Sequence, residues 1–188
     1  VSAGIVRASS AAARINTGQT FTAGTITSNN DTAIGHALNV LTLGGTGPIT
    51  GTSTISITGN PILLRRETSL LPLINLTATN GTGLTYNVSA PVTLDDTTTA
   101  QGTGTATFIF SGGVAGAGSL VKTGSSKLIL AGDSTYAGTT TISAGTLQSG
   151  NDGATGTLAP GDVTNNATLR FDRTGTLLVS NAISGSGG

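Results

Sequence analysis

Gly116-Ala-Gly-Ser-Leu-Val-Lys-Thr-Gly-Ser-Ser-Lys-Leu-Ile-Leu-Ala-Gly-Asp-Ser-Thr-Tyr-Ala-Gly-Thr-Thr-Thr-Ile-Ser-Ala-Gly-Thr-Leu147 is the stretch whose reading decides the fold. Glycines punctuate short runs in which Thr, Leu and Ile alternate. Alternation at period two is the mark of a strand with one buried face, and glycine at the ends marks tight turns. The stretch therefore writes several very short strands in succession. It holds no constellation of residues that would carry catalysis.

The same rhythm runs outward through the chain. Strand signals fall at Thr20–Thr27, Leu38–Leu43, Thr52–Thr58, Leu84–Ser89, Thr105–Phe110, Lys127–Leu130, Thr140–Ser143 and Thr176–Ser180. Helical composition is tolerable only at Ala3–Arg14, where Gly and Ser weaken it. Two all-β architectures write such a pattern: an antiparallel β-sandwich and a parallel β-helix, or β-solenoid. Three features favour the solenoid. Aromatic residues make up 3 % and Trp is absent, whereas sandwich cores lean on large aromatics. Strong two-residue hairpin turns are scarce. Val114-Ala-Gly-Ala-Gly118 echoes as Ile183-Ser-Gly-Ser-Gly187, which suits stacked coils of about 20 to 25 residues. The expectation is roughly eight or nine coils in a rod about 40 Å long, with Leu, Ile and Val inward and ladders of Thr and Asn outward.

Composition bounds the partners. Charged residues are 9 % of the chain, against a usual share of about a quarter. Thr, at about a fifth of the 188 residues, supplies the polar surface instead, and it suits a half-exposed pleated sheet. Formal net charge is zero, so no basic field draws nucleic acid or anionic lipid. The apolar runs Ile62–Leu64 and Leu70–Leu76 are far short of a membrane span. No Cys is present, which excludes a disulfide framework and suits export of an unfolded chain through a narrow pore. With no Met and no signal peptide, the chain reads as an internal piece of something longer.

The pieces from Val114 to Gly188 together resemble the passenger-associated repeats of bacterial autotransporters, also called autotransporter-associated β-strand repeats. The carriers are Gly116–Gly124, Leu128–Leu130, Ser134–Ile142, Ala144–Leu147, Gly161–Leu169 and Ala182–Gly188, in that order and spacing. Within them the repeat motif falls on Gly116, Gly118, Leu120, Lys122, Gly124, Leu128, Leu130, Tyr136, Gly138, Gly145 and Leu147. Ser125–Lys127 stands where a glycine-containing turn is commoner, and Ala137-Gly138 replaces Thr-Gly-Gly; both touch turn detail. The resemblance divides the chain into divergent coils at 1–113 and matching coils at 114–188, continuous with the first. It implies a right-handed parallel β-helix, passage through an outer-membrane translocation barrel, and an extracellular or bacterial cell-surface location.

Candidate chemistry is sparse. His36 is the single histidine, and with only generic Ser around it a Ser-His-Asp triad is not indicated. Gly132-Asp133-Ser134 lies inside the repeat and reads as structure. The acids are Asp31, Glu67, Asp95, Asp96, Asp133, Asp152, Asp162 and Asp172. Asp95-Asp96 is the adjacent pair, and strand neighbours point to opposite faces, so a solvated turn is the expected setting. A calcium site lacks its glycine–aspartate nonapeptide. The glycine run Gly112–Gly118 lacks a following Walker lysine and helix, so it is turn glycine. Sequons at Asn30, Asn75, Asn80, Asn87 and Asn166 arise readily in so Asn- and Thr-rich a chain. The candidate ligand-binding loop is Arg65, Arg66 and Glu67, the densest charge cluster, flanked by Pro61 and Pro72. Expected, then, is a non-enzymatic structural or adhesive segment without cofactor or metal. Copies or flanking coils would stack end to end into a fibre or surface layer, because open coil edges leave backbone groups unpaired. The competing reading is a polysaccharide-active β-helix enzyme or carbohydrate-binding passenger, which needs acids, bases and aromatic platforms in one cleft.

Overall fold

The computed structural model describes residues 61–66, 69–77 and 84–188, together with the strands Gly4–Val6, Ala12–Ile15, Gly24–Ser28, Val40–Leu43 and Thr54–Gly59. Among these residues there is no helix, and every strand pair is parallel. Parallel pairing of strands that are neighbours in space but about one coil apart in sequence is the signature of a solenoid. It excludes the antiparallel sandwich, whose sequential strands would pair as hairpins.

Two sheets of eight strands form the long faces. The first stacks Gly4–Val6, Gly24–Ser28, Thr54–Gly59, Thr85–Val88, Thr107–Phe110, Lys127–Leu130, Thr146–Gly153 and Thr168–Arg173. The second stacks Ala12–Ile15, Val40–Leu43, Leu73–Leu76, Thr98–Gln101, Leu120–Lys122, Thr140–Ile142, Val163–Asn165 and Ile183–Ser184. A short third face joins Ile62–Leu64, Val92–Leu94 and Val114–Ala115, and a single bridge carries it on to Ser134. From Leu84 onward, five successive turns are described without a gap, against the eight or nine coils expected for the whole chain.

The core follows from the alternation. In Leu73–Leu76, for example, Ile74 and Leu76 are buried while Leu73 and Asn75 are only half-buried. A strand of a long face thus gives two inward side chains. One inward rank runs Tyr86, Phe108, Leu128, Leu147, Leu169, each in register with the next. A second runs Ile57, Val88, Phe110, Leu130, Ser149, Phe171. The rings of Tyr86 and Phe108 stack at 5.7 Å between centroids. Like side chains thus lie on like, one coil apart, and the core passes Gly113 without interruption.

Several expectations are corrected. Within Ala3–Arg14 the described residues are strands: Gly4–Val6 and Ala12–Ile15 pair with the next coil, and there tertiary pairing overrides a weak helix propensity. Thr176–Ser180 forms no strand, because the coil beside it presents Thr157–Pro160, where Pro160 has no N–H to give. The echo does not mark one corner of the coil. Val114 lies on the third face and Ile183 on the second long face. Outward ladders are shorter than expected: Thr54, Thr85 and Thr107 stand in register, but mixed residues fill most outward ranks.

Candidate functional site

The two charge clusters singled out in the sequence meet each other. Ile62–Leu64 and Val92–Leu94 are adjacent rungs of the third face, so the residues that follow them stack. The Arg65 side chain donates from Nε to Asp95 Oδ2 at 2.5 Å, and the backbone N–H of Arg66 donates to Asp96 Oδ2 at 2.8 Å. Arg66 Nε lies 3.5 Å from Asp96 Oδ1. The arginines of the candidate loop are thereby paired with the coil beside them, and Asp95-Asp96 is a solvated turn that is also ion-paired. Such exposed pairs contribute little stability, about 1 kcal/mol or less each. Glu67 and His36 lie outside the described residues, as do Asp31, Asn30 and Asn80.

The repeat-motif residues lie in one continuous assembly. Leu120, Leu128, Leu130 and Leu147 are inward and buried. The glycines form columns at the corners. A Cβ on Gly124 would sit 2.3 Å from the carbonyl oxygen of Gly102, and one on Gly145 would sit 2.4 Å from that of Gly124. Gly138 likewise closes on the carbonyl of Gly118, at 2.4 Å. Gly116 closes on Leu94 and Gly118 on Asp96, both at 2.1 Å. Coils at the ordinary inter-strand spacing leave no room for a side chain at these turns. Tyr136 is buried, with its hydroxyl 2.6 Å from Thr140 Oγ1; burial pushes its phenol up to about 12 despite that bond.

Lys122 is the unexpected member. It occupies an inward rank, between Ala100 and Ile142, and is fully buried. Its ammonium donates to the carbonyls of Thr123 at 2.7 Å, Gly124 at 3.0 Å and Ala144 at 3.4 Å. Burial lowers its pKa from 10.5 to about 8. Sequence marked Lys122 as a motif position, but the acceptors are visible only once the coils are stacked.

Asp133, in the Gly132-Asp133-Ser134 segment that the sequence reads as structure, bonds across to the next coil. Its Oδ1 accepts the backbone N–H groups of Gly156 and Thr157, each at 2.9 Å, and the Thr157 hydroxyl at 3.1 Å. The bond from the Thr157 backbone is the main cause holding its carboxyl below the usual range. Asp172 accepts from Gln148 Nε2 at 3.1 Å. A groove is lined by Thr157, Leu158, Pro160, Phe171 and Leu177–Asn181. Among the described residues, no three of His, Cys, Asp and Glu gather as a metal site would require.

Parallel strands stacked coil on coil, with glycine columns and buried cross-coil polar bonds, define the chain as a β-solenoid, and part of it is similar to a known repeat family. Residues 120–148 match the family described as Passenger-associated-transport-repeat. A stretch of 52 residues, 28 % of the chain, is 52 % identical to the protein named Adhesin BmaC autotransporter from Brucella suis biovar 1 (strain 1330). The chain spans 2 % of the length of that relative. No solved structure matches the chain.

Proposed function

We propose that this chain is a non-enzymatic, rod-forming segment of an extracellular bacterial passenger, displayed on or released from the cell surface, which extends and presents adhesive parts of a larger protein. The observation that carries the reading is where the acids go. Asp95 and Asp96 are bound by Arg65 and Arg66, Asp133 by Gly156 and Thr157, and Asp172 by Gln148 and Arg170. Carboxylates placed to hold coils together are poorly placed for acid–base work on a sugar, which needs a facing pair across a cleft. The relative's name, an adhesin, supports surface attachment as the larger protein's task. A translocation barrel is the partner such export requires, and further copies or coils are the partners the open coil edge suits.

The test is to place residues 1–188 upstream of a translocation barrel in a Gram-negative host. Intact cells would be treated with protease, and the purified chain assayed on neutral and acidic polysaccharides. The segment should be reached from outside while yielding a resistant core that includes residues 84–188. Retention inside the cell, or release of reducing ends from a polysaccharide, would reject the proposal.

A further inference from the structure

Three buried polar side chains share one bonding pattern. Lys122 bonds to its own turn at Gly124 and to the next coil at Ala144. Gln148 Nε2 bonds to its own turn at the carbonyl of Gly150, 2.9 Å, and to the next coil at Asp172. Asn165 Oδ1 accepts the N–H of Ala167 in its own turn at 3.2 Å, and its Nδ2 donates to the Gly188 carbonyl of the next coil at 3.3 Å. All three are at most 5 % exposed. Each therefore ties the turn two residues ahead to the coil stacked on it.

We infer that Lys122, Gln148 and Asn165 are register keys, which fix how successive coils align rather than how tightly they hold. The need for such keys follows from the sequence. A one-residue slip between parallel coils turns every inward Leu outward and is rejected by the hydrophobic effect. A two-residue slip keeps the alternation. In a chain so rich in Thr, Gly, Leu and Ile, a slipped coil still meets apolar residues inside and hydroxyls outside. Apolar packing alone discriminates poorly against it. The buried polar groups do discriminate. In register, Lys122 lies opposite Ile142, and the Ala144 carbonyl falls beside its ammonium. Slipped by two, Lys122 faces Thr140 or Ala144, and the ammonium loses its acceptor in the next coil while staying buried. It keeps the Thr123 and Gly124 carbonyls of its own turn, but a buried ammonium left one acceptor short costs more than the completed set of bonds gains. Buried polar residues that set register at some expense in stability have precedent in coiled coils. The same logic holds for the amides of Gln148 and Asn165, whose partners lie across the same kind of coil-to-coil contact.

Disulfide trapping reads this directly, since the chain has no Cys. Val121 and Thr141 are outward and in register. Adjacent strands about 4.8 Å apart can be bridged, while residues displaced by two positions exceed the roughly 7 Å limit. Cys pairs at Val121/Thr141, Val121/Ser143 and Val121/Thr139 then report the native and the two slipped registers. In the otherwise unaltered chain, refolded and oxidised, only the first should form. With Lys122→Met added, the slipped crosslinks should rise at least fivefold after refolding, while the thermal midpoint holds or rises. Adding Gln148→Leu and Asn165→Leu should raise them further. If Lys122→Met forms only the native crosslink, or fails to fold at all, the ammonium is ordinary structural support and the inference is wrong.

Discussion

Lys122 carries its charge among backbone carbonyls, and that placement makes stability depend on pH in a definite direction. Its folded pKa, about 8, lies below the unfolded value of 10.5. Between those values the unfolded chain binds more protons than the folded one, so unfolding becomes less favourable as pH rises. The gain is at most about 3 kcal/mol. Tyr136 opposes it at higher pH. Its folded value of about 12 exceeds the ordinary phenol value of 10.0, so above pH 10 the unfolded state sheds a proton first and stability falls. Denaturant midpoints measured across roughly pH 7 to 11 should therefore rise and then turn over near the unfolded pKa of the phenol, about 10. Lys122→Met should abolish the rising limb and leave the fall. Glycine supplies a second residue-scale prediction. Gly124 has φ +67 and a would-be Cβ at 2.3 Å from the Gly102 carbonyl oxygen, whereas Gly175 has φ +76 and nothing within 4 Å. Gly175→Ala should cost about 1 kcal/mol from backbone strain alone, and Gly124→Ala about 3 kcal/mol or more, seen as a shift in the same midpoint. The sequence showed both Lys122 and Gly124 as motif positions. It could not show why, because Gly102 and Ala144 become neighbours of that turn only when the coils close.

At the scale of the element, the departure from the repeating coil is the excursion that follows Thr146–Gly153. Asp133 pins its return at Gly156 and Thr157, the Ser149 hydroxyl bonds the Gly156 carbonyl, and Thr155 Oγ1 bonds the Ala131 carbonyl at 2.8 Å. Asp152 takes φ 57 just before the excursion, where the register of Thr146–Gly153 shifts. The bonds from Thr157 and Gly156 favour the charged form of Asp133, so its contribution is complete above the unfolded pKa of 3.8 and fades as pH falls through its lower folded value. Amide exchange at Gly156 and Thr157 should quicken roughly tenfold in Asp133→Ala, with the core strand Lys127–Leu130 unchanged. Equal quickening in both places would show that Asp133 supports the whole stack. Strands of the regular coils were legible because each is short and alternates cleanly; Lys127–Leu130 falls where the pattern puts it. Thr176–Ser180 alternates as well, yet finds no partner beside Pro160. Alternation says which face a residue prefers, and pairing depends on what the neighbouring coil offers. The Arg65–Asp95 contact was hidden for the same reason: the two residues are 30 apart in sequence.

Over the whole molecule, stability accrues coil by coil, since each coil touches only the one before and the one after. A terminal coil is covered on one side. The inward side chains of interior coils are nearly inaccessible, but at the last described coil Phe171 is 40 % exposed, Ile183 is 46 % and Leu178 is 87 %. The edge beside them is a parallel one, and parallel sheets are normally covered. With net charge zero there is no long-range repulsion to keep two such ends apart. At the opposite end the outermost described strands are Gly4–Val6 and Ala12–Ile15, which run in the same direction as Thr168–Arg173 and Ile183–Ser184. A head-to-tail contact between copies continues both long sheets without reversing a strand. Because such a contact would join two different surfaces, the stacking proposed for copies of this chain predicts an open filament rather than a dimer. Light scattering on residues 1–188 should show mass rising continuously with concentration, without a plateau at two chains. Ile183→Asp places a charge at the end of the second long sheet and should weaken association at least tenfold while leaving the unfolding midpoint of the interior coils in place. A chain that stays monomeric at millimolar concentration would reject end-to-end stacking of copies. The passenger reading would stand in that case, because a coil of the same polypeptide can cover the end as well as a second molecule can.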